Sequence, residues 1–84
     1  MLFHAYILQS AAGKYYIGQT GNLTERLSRH NSGRSRYTKS RGPWELVYSE
    51  AFNTREEAIR REQELKRKHS RGLPIPVPGG TVQD

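Results

Sequence analysis

The chain has 84 residues, room for one small domain and no second. Only 33% of it is hydrophobic and it contains no cysteine, which excludes a disulfide framework, thiol chemistry and any zinc site built on thiolates. Fourteen Lys and Arg against eight Asp and Glu give a net charge of +6, and apolar stretches as short as Ala5-Tyr6-Ile7-Leu8 exclude a bilayer-spanning helix, which needs about 20 apolar residues. The N-terminus has no charged region followed by a long apolar one, so a soluble, cytoplasmic protein is expected.

Residues 2 to 8 and 14 to 18 mix β-formers and aromatics on either side of Ala11-Ala12-Gly13, the composition of a β-hairpin. A three-residue loop with Gly13 in the left-handed position pairs Ser10 with Lys14. That register sets Tyr6 opposite Gly18 and Leu8 opposite Tyr16, and it puts both tyrosines on one face; a slip of one residue would separate them. Asn22 followed by Glu25 resembles a capping box that opens a helix running to about His30, with Asn31-Ser32-Gly33 as its stop. Leu23, Arg26, Leu27 and His30 fall on one face of that helix, so Arg26 and His30 point toward whatever the leucines pack on.

Residues 32 to 43 form a Gly/Ser/Arg-rich loop ending at Gly42-Pro43. Trp44 to Phe52 reads as a third strand, with Trp44, Leu46 and Tyr48 on one face and Val47 on the other. Thr54-Arg55-Glu56-Glu57 is a second capping box, for a helix extending to about Lys68. Its few apolar positions, Ala58, Ile59 and Leu65, surround Glu62, so a carboxylate sits in the stripe this helix buries and requires a partner. From Ser70 the chain alternates apolar residues with proline. The domain is therefore expected to span residues 1–69, with 70–84 a Pro/Gly-rich tail, extended or disordered.

The charge is concentrated. Arg26, Arg29, Arg34, Arg36, Lys39 and Arg41 follow one another with no acid between them, and Arg60, Arg61, Lys66, Arg67, Lys68 and Arg71 make a second group. One basic run is commonly a solvated face. Two on so short a chain, with ten of the fourteen cations being Arg, point to a polyanion such as nucleic acid. Arg29, Arg34, Arg36, Lys39, Arg41 and Lys66 are the expected phosphate contacts.

The order strand, turn, strand, helix, basic loop, strand, helix, with Tyr16-Ile17-Gly18, Gln19-Thr20-Gly21-Asn22-Leu23, Glu25-Arg26-Leu27, His30-Asn31 and Glu62, resembles the small stand-alone bacterial branch of the GIY-YIG nuclease superfamily. His4-Ala5-Tyr6 keeps only the tyrosine of the first triplet, and Leu46-Val47-Tyr48 followed by Ala58 to Lys66 also fits that branch. The resemblance covers about residues 3 to 68. It implies an α+β fold, a small three-stranded antiparallel sheet flanked by helices, and cleavage of DNA phosphodiesters dependent on Mg2+ or Mn2+, in DNA repair or processing. It further implies Glu62 as metal ligand, Tyr6 and Tyr16 as the catalytic pair, Arg26 as transition-state stabiliser and His30 as an accessory residue.

The chemistry is coherent without the name. Phosphodiester hydrolysis needs an in-line nucleophile, stabilisation of charge on the phosphoryl oxygens and help for the leaving oxygen. A single carboxylate suits magnesium, which keeps several waters and takes the rest of its shell from phosphate. A tyrosine ionises near pH 10, and Arg26 and a nearby metal would both favour its phenolate. Tyr6 is therefore assigned as general base, Tyr16 as a group holding it or the phosphate, and His30 as an aid to proton transfer.

Plainer readings stand beside these. Strand tyrosines are usually core filler, a helical His is usually structural, and Arg26 is placed to pair with Glu25 or Glu62. No Asn follows Asn53, where many members of the superfamily carry a polar residue beyond the glutamate helix. A nucleic-acid-binding module without turnover thus remains an alternative, as does an interaction domain using the Pro-rich tail. So small a surface also leaves room for a partner protein to supply specificity.

Overall fold

The computed structural model describes residues 1–31 and 43–77. Two antiparallel strands, β1 (Phe3–Ser10) and β2 (Tyr15–Thr20), are followed by α1 (Leu23–Asn31), β3 (Trp44–Phe52) and α2 (Arg55–Ser70). The sheet order is β2-β1-β3. The central strand is therefore the most buried, and β2 and β3 are its edges. This is the expected α+β domain with a three-stranded antiparallel sheet.

The hairpin turns as its residues require. Ser10 N–H donates to the Lys14 carbonyl at 2.9 Å, Gly13 N–H donates to the Ser10 carbonyl at 2.9 Å, and Gly13 sits at φ +87°, where a side chain is strained. Tyr6 then pairs with Gly18 and Leu8 with Tyr16. The two faces of the sheet separate by parity along β1. Tyr6 and Leu8 pack with Trp44, Tyr16, Leu46 and the α1 residues Leu23 and Leu27. Ile7 and Ile17 pack with Leu65 of α2 on the opposite face.

β3 departs from simple alternation. Leu8 pairs with Leu46 but Ile7 pairs with Tyr48, so Val47 is an extra residue, a β-bulge. Tyr48 consequently joins Val47 on the α2 side and not Trp44 and Leu46 as alternation predicts. There its hydroxyl donates to Glu50 at 2.7 Å, and Glu50 accepts from Arg61 of α2 at 3.0 Å. The bulge thus supplies a polar tie between β3 and α2.

The helix ends are set by local hydrogen bonds. At α1, Glu25 N–H donates to the Asn22 side chain at 3.1 Å, but the capping box is not reciprocal. Asn22 N–H is taken by the Thr20 hydroxyl at 3.0 Å, leaving the Glu25 carboxylate to accept from Arg29 at 2.9 Å. At α2 the capping box is complete, with Thr54 and Glu57 exchanging side-chain bonds.

The C-terminus of α2 carries a feature the sequence reading passed over. Gly72 at φ +73° donates to the His69 carbonyl at 3.1 Å, and Leu73 N–H donates to the Lys68 carbonyl at 2.8 Å. This is a Schellman motif. It reverses the chain so that Ile75 is buried among Ile7, Ile17 and Leu65, with Val77 packed against them. The packed domain therefore runs past residue 69, and the segment expected as a separate tail contributes to the core through Val77; residues 78–84 lie outside the described residues. Ending the chain after Gly72 should cost about 1–3 kcal/mol of stability, the order of burying one large aliphatic side chain. Denaturant titration of the two lengths measures this directly.

Candidate active site

The site begins with a missing side chain. Tyr6 projects from the central strand toward the edge strand, and its ring lies across the backbone at Gly18. A methyl group at position 18 would stand 2.7 Å from the Tyr6 hydroxyl oxygen, 2.9 Å from Cζ and 3.1 Å from Cε1 of Tyr16. Glycine is therefore required here by close approach and not by backbone angle. With 1% of its surface exposed, Tyr6 is enclosed by the α1 packing described above, and Tyr16 lies beside it with ring centroids 6.3 Å apart.

α1 brings two more groups to the same place. The Tyr6 hydroxyl and His30 Nε2 form a buried hydrogen bond of 3.2 Å. The Tyr16 ring is tilted against the His30 ring at 4.5 Å. Burial and the neighbouring guanidinium groups of Arg26 and Arg29 hold His30 below its ordinary pKa of 6.5, so the imidazole is neutral at pH 7 and one of its nitrogens is an acceptor.

Tyr6 is pushed the other way. Burial is the largest cause of a pKa well above the usual phenol value, reinforced by Tyr16 and by the carboxylate of Glu62, while Arg26 opposes the rise by charge and hydrogen bonding. Arg26 thus acts on Tyr6 in the expected direction, but burial outweighs it. In this setting Tyr6 is a neutral phenol beside a neutral imidazole.

Neither Glu25 nor Glu62 is an ion-pair partner of Arg26 among the described residues. Glu25 pairs with Arg29 at 2.9 Å, and Glu62 pairs with Lys66 at 2.8 Å. Arg26 Nε is buried with no hydrogen-bond partner. A buried donor left unpaired costs free energy unless a ligand satisfies it, and an anionic oxygen is the natural ligand for guanidinium.

Glu62 reaches the cluster from α2, its side chain 17% exposed and its charge felt at Tyr6. Among the described residues no group of three or more His, Cys, Asp and Glu side chains is placed to hold a metal ion. One mostly buried carboxylate within electrostatic reach of the Tyr6 hydroxyl nevertheless fits a hard cation that keeps most of its water; it does not fit zinc or calcium, which require several protein ligands.

The structure therefore brings Tyr6, Tyr16, Arg26, His30 and Glu62 together. Of the expected phosphate contacts, Arg29 lies on exposed α1 surface bonded to Glu25 and Lys66 lies on α2 bonded to Glu62. Arg34, Arg36, Lys39 and Arg41 lie outside the described residues. One positioning residue was read only as a helix stop. Asn31 donates from Nδ2 to the Trp44 carbonyl at 3.0 Å and accepts from Trp44 N–H through Oδ1 at 2.7 Å. It thereby fastens the end of α1 to the start of β3, and an Asn at the close of a helix that bears site residues was its sequence signal.

A three-stranded sheet with a tyrosine pair on its hairpin, an Arg and a His on the first helix and a glutamate on the second defines a recognisable class of small α+β catalytic domain. The sequence profile of the GIY-YIG catalytic domain matches residues 2–73. The chain belongs to the GIY-YIG family, a nuclease family whose members generally use divalent metals. It is similar to small bacterial proteins: 44% identical over 66 residues to the UPF0213 protein of Streptococcus pneumoniae serotype 4, covering 77% of this chain and 67% of that one. With UPF0213 protein SAG0778 of Streptococcus agalactiae serotype V it shares 42% identity over 66 residues, 77% of this chain and 75% of that one. The solution NMR structure of the UPF0213 protein BH0048 from Bacillus halodurans matches with a TM-score of 0.50 at 39% identity, covering 84% of this chain and 81% of that chain. No described helix is long and apolar enough to cross a membrane.

Gly18→Ala should displace Tyr6 from its hydrogen bond with His30 and destabilise the fold by about 1–3 kcal/mol, as overpacked cores do; thermal melts and the tyrosine fluorescence of the variant report both. His30 carries a second expectation. The unfolded chain protonates it near pH 6.5 while the folded chain does so only at lower pH. The folded state therefore loses stability as pH falls from about 6.5 through the folded value. The melting-temperature advantage of the native chain over His30→Gln should narrow across that range.

Proposed function

We propose that this chain hydrolyses DNA phosphodiester bonds, with a hydrated Mg2+ or Mn2+ held on Glu62, in DNA repair or processing. The observation that carries the reading is the buried contact between the Tyr6 hydroxyl and a neutral His30 beside an unpartnered Arg26 Nε. This is a proton path adjoining an anion site.

The scissile phosphate sits against Arg26, which satisfies the orphaned Nε–H and spreads the phosphoryl charge as the transition state forms. A water attacks phosphorus in line. Its proton passes to the Tyr6 oxygen while the Tyr6 hydroxyl proton passes to His30 Nε2, and the phosphorus–oxygen bond to the leaving strand breaks. With Nε2 as the accepting nitrogen, the other ring nitrogen carries the proton of the neutral imidazole.

Burial, with the charges of Arg26 and Arg29, holds His30 a weak base. A bound phosphate offsets their charge and strengthens that base when it is needed. Tyr16 braces the His30 ring. Glu62 would hold the cation, which would supply electrophilic stabilisation of the phosphate and of the leaving oxygen. Arg29, Lys66, Arg34, Arg36, Lys39 and Arg41 contribute phosphate contacts that position DNA without reading its sequence.

The test is incubation of the purified chain with end-labelled single-stranded, duplex and branched DNA, with Mg2+ or Mn2+ or with chelator. Metal-dependent products are expected, reduced about 10²–10⁴-fold in Tyr6→Phe and abolished in Glu62→Ala. Salt-sensitive binding with no cleavage of any substrate would overturn the enzymatic reading and leave a DNA-binding module.

A further inference from the structure

We propose that the hollow between the β2 edge and the last two turns of α2 holds one unpaired nucleobase of the DNA strand being cut. The inference rests on the nuclease reading and adds to it a strand preference. The hollow has a volume of about 240 Å3 and is lined by Tyr15, Tyr16 and Ile17 from the edge strand and by Lys66, His69 and Ser70 from the helix.

Three features select the occupant. First, the Tyr15 and His69 rings meet at 88° with centroids 5.5 Å apart. They form an aromatic corner in which a planar heterocycle stacks on one ring and sets its edge on the other. Second, the helix that forms one wall is rich in cations. Lys66 lines the hollow on the helix that also bears Arg60, Arg61, Arg67 and Lys68, in a chain of net charge +6. A neutral apolar peptide gains nothing from this charge, whereas a base that carries its phosphate with it does.

Third, the hollow shares residues with the site described above. Tyr16 lines it and also packs against His30 and Tyr6, and Lys66 lines it while bonding Glu62 at 2.8 Å. A base seated there would belong to the same strand as a phosphate bound at Arg26. The space takes one ring system, not a base pair, and a paired base inside a duplex stack cannot enter it without leaving its partner. The substrate class is accordingly DNA with unpaired nucleotides at the cut: a single strand, a frayed end or a branch.

The experiment measures binding by fluorescence anisotropy in the presence of chelator, so that no cleavage intervenes. It uses the full chain and two labelled single strands of equal length and charge, one intact and one with consecutive abasic sites. The intact strand should bind about tenfold more tightly, the order of one stacked base. His69→Ala, at an exposed position, and Tyr15→Leu, which keeps apolar bulk against the core, should each remove that difference and leave the salt-sensitive affinity for the abasic strand unchanged. Equal affinity of the native chain for the two strands overturns the inference, as does a difference that survives both substitutions. If metal-dependent cleavage persists alongside equal affinity, the base site alone has failed; if neither strand binds at all, the nuclease reading falls with it.

Discussion

The ring of Tyr6 lies across β2 at Gly18, where the strand carries no side chain, and the geometry of the site follows from that contact. A hydroxyl that would otherwise end inside the sheet instead reaches the sheet margin. There α1, packed on one face, and α2, packed on the other, can both address it. The layers of this domain are too few to bury a catalytic cluster between separate lobes. The site is assembled around an edge strand, where groups from opposite faces of one sheet come within electrostatic reach of the same oxygen.

The charges of the site residues are held in check by their surroundings. Tyr6 and His30 are both held neutral, one by burial and the other by burial together with two guanidinium groups. Arg26 keeps a buried nitrogen without a partner, and Glu62 is balanced by an ammonium from its own helix. On the proposed function, a phosphate at Arg26 would change these balances together: it would satisfy Arg26, offset the positive field on His30 and give Lys66 a second anion, coupling basicity at the Tyr6–His30 pair to occupancy through Coulomb terms.

Much of this was legible in the chain because local rules and the fold agree. The Ala11-Ala12-Gly13 loop dictates the hairpin register, and the register alone puts Tyr6 and Tyr16 side by side. Helical spacing places Arg26 and His30 with Leu23 and Leu27, and the capping box at Thr54 sets the phase that turns Glu62 inward. What escaped depends on tertiary pairing or on chain reversal. The bulge at Val47 is invisible to alternation because it exists only relative to β1. The return of Ile75 to the core depends on a left-handed Gly72, a signal that the proline-rich composition around it obscured. The pKa of Tyr6 escaped for a related reason: Arg26 could be counted from sequence, but the depth of burial that overrides it could not.

The Asn31 clamp has a consequence for how such domains diversify. By exchanging two hydrogen bonds with the Trp44 backbone, Asn31 imitates a strand neighbour and fixes both ends of the segment between them, so the spacing of α1 from β3 does not depend on what that segment contains. Doubling the length of a closed loop costs only about 0.6 kcal/mol. Chain inserted there is therefore cheap and leaves Arg26 and His30 where they are. Between residues 31 and 44 the chain is thus open to lengthening without disturbing the groups that α1 and β3 carry.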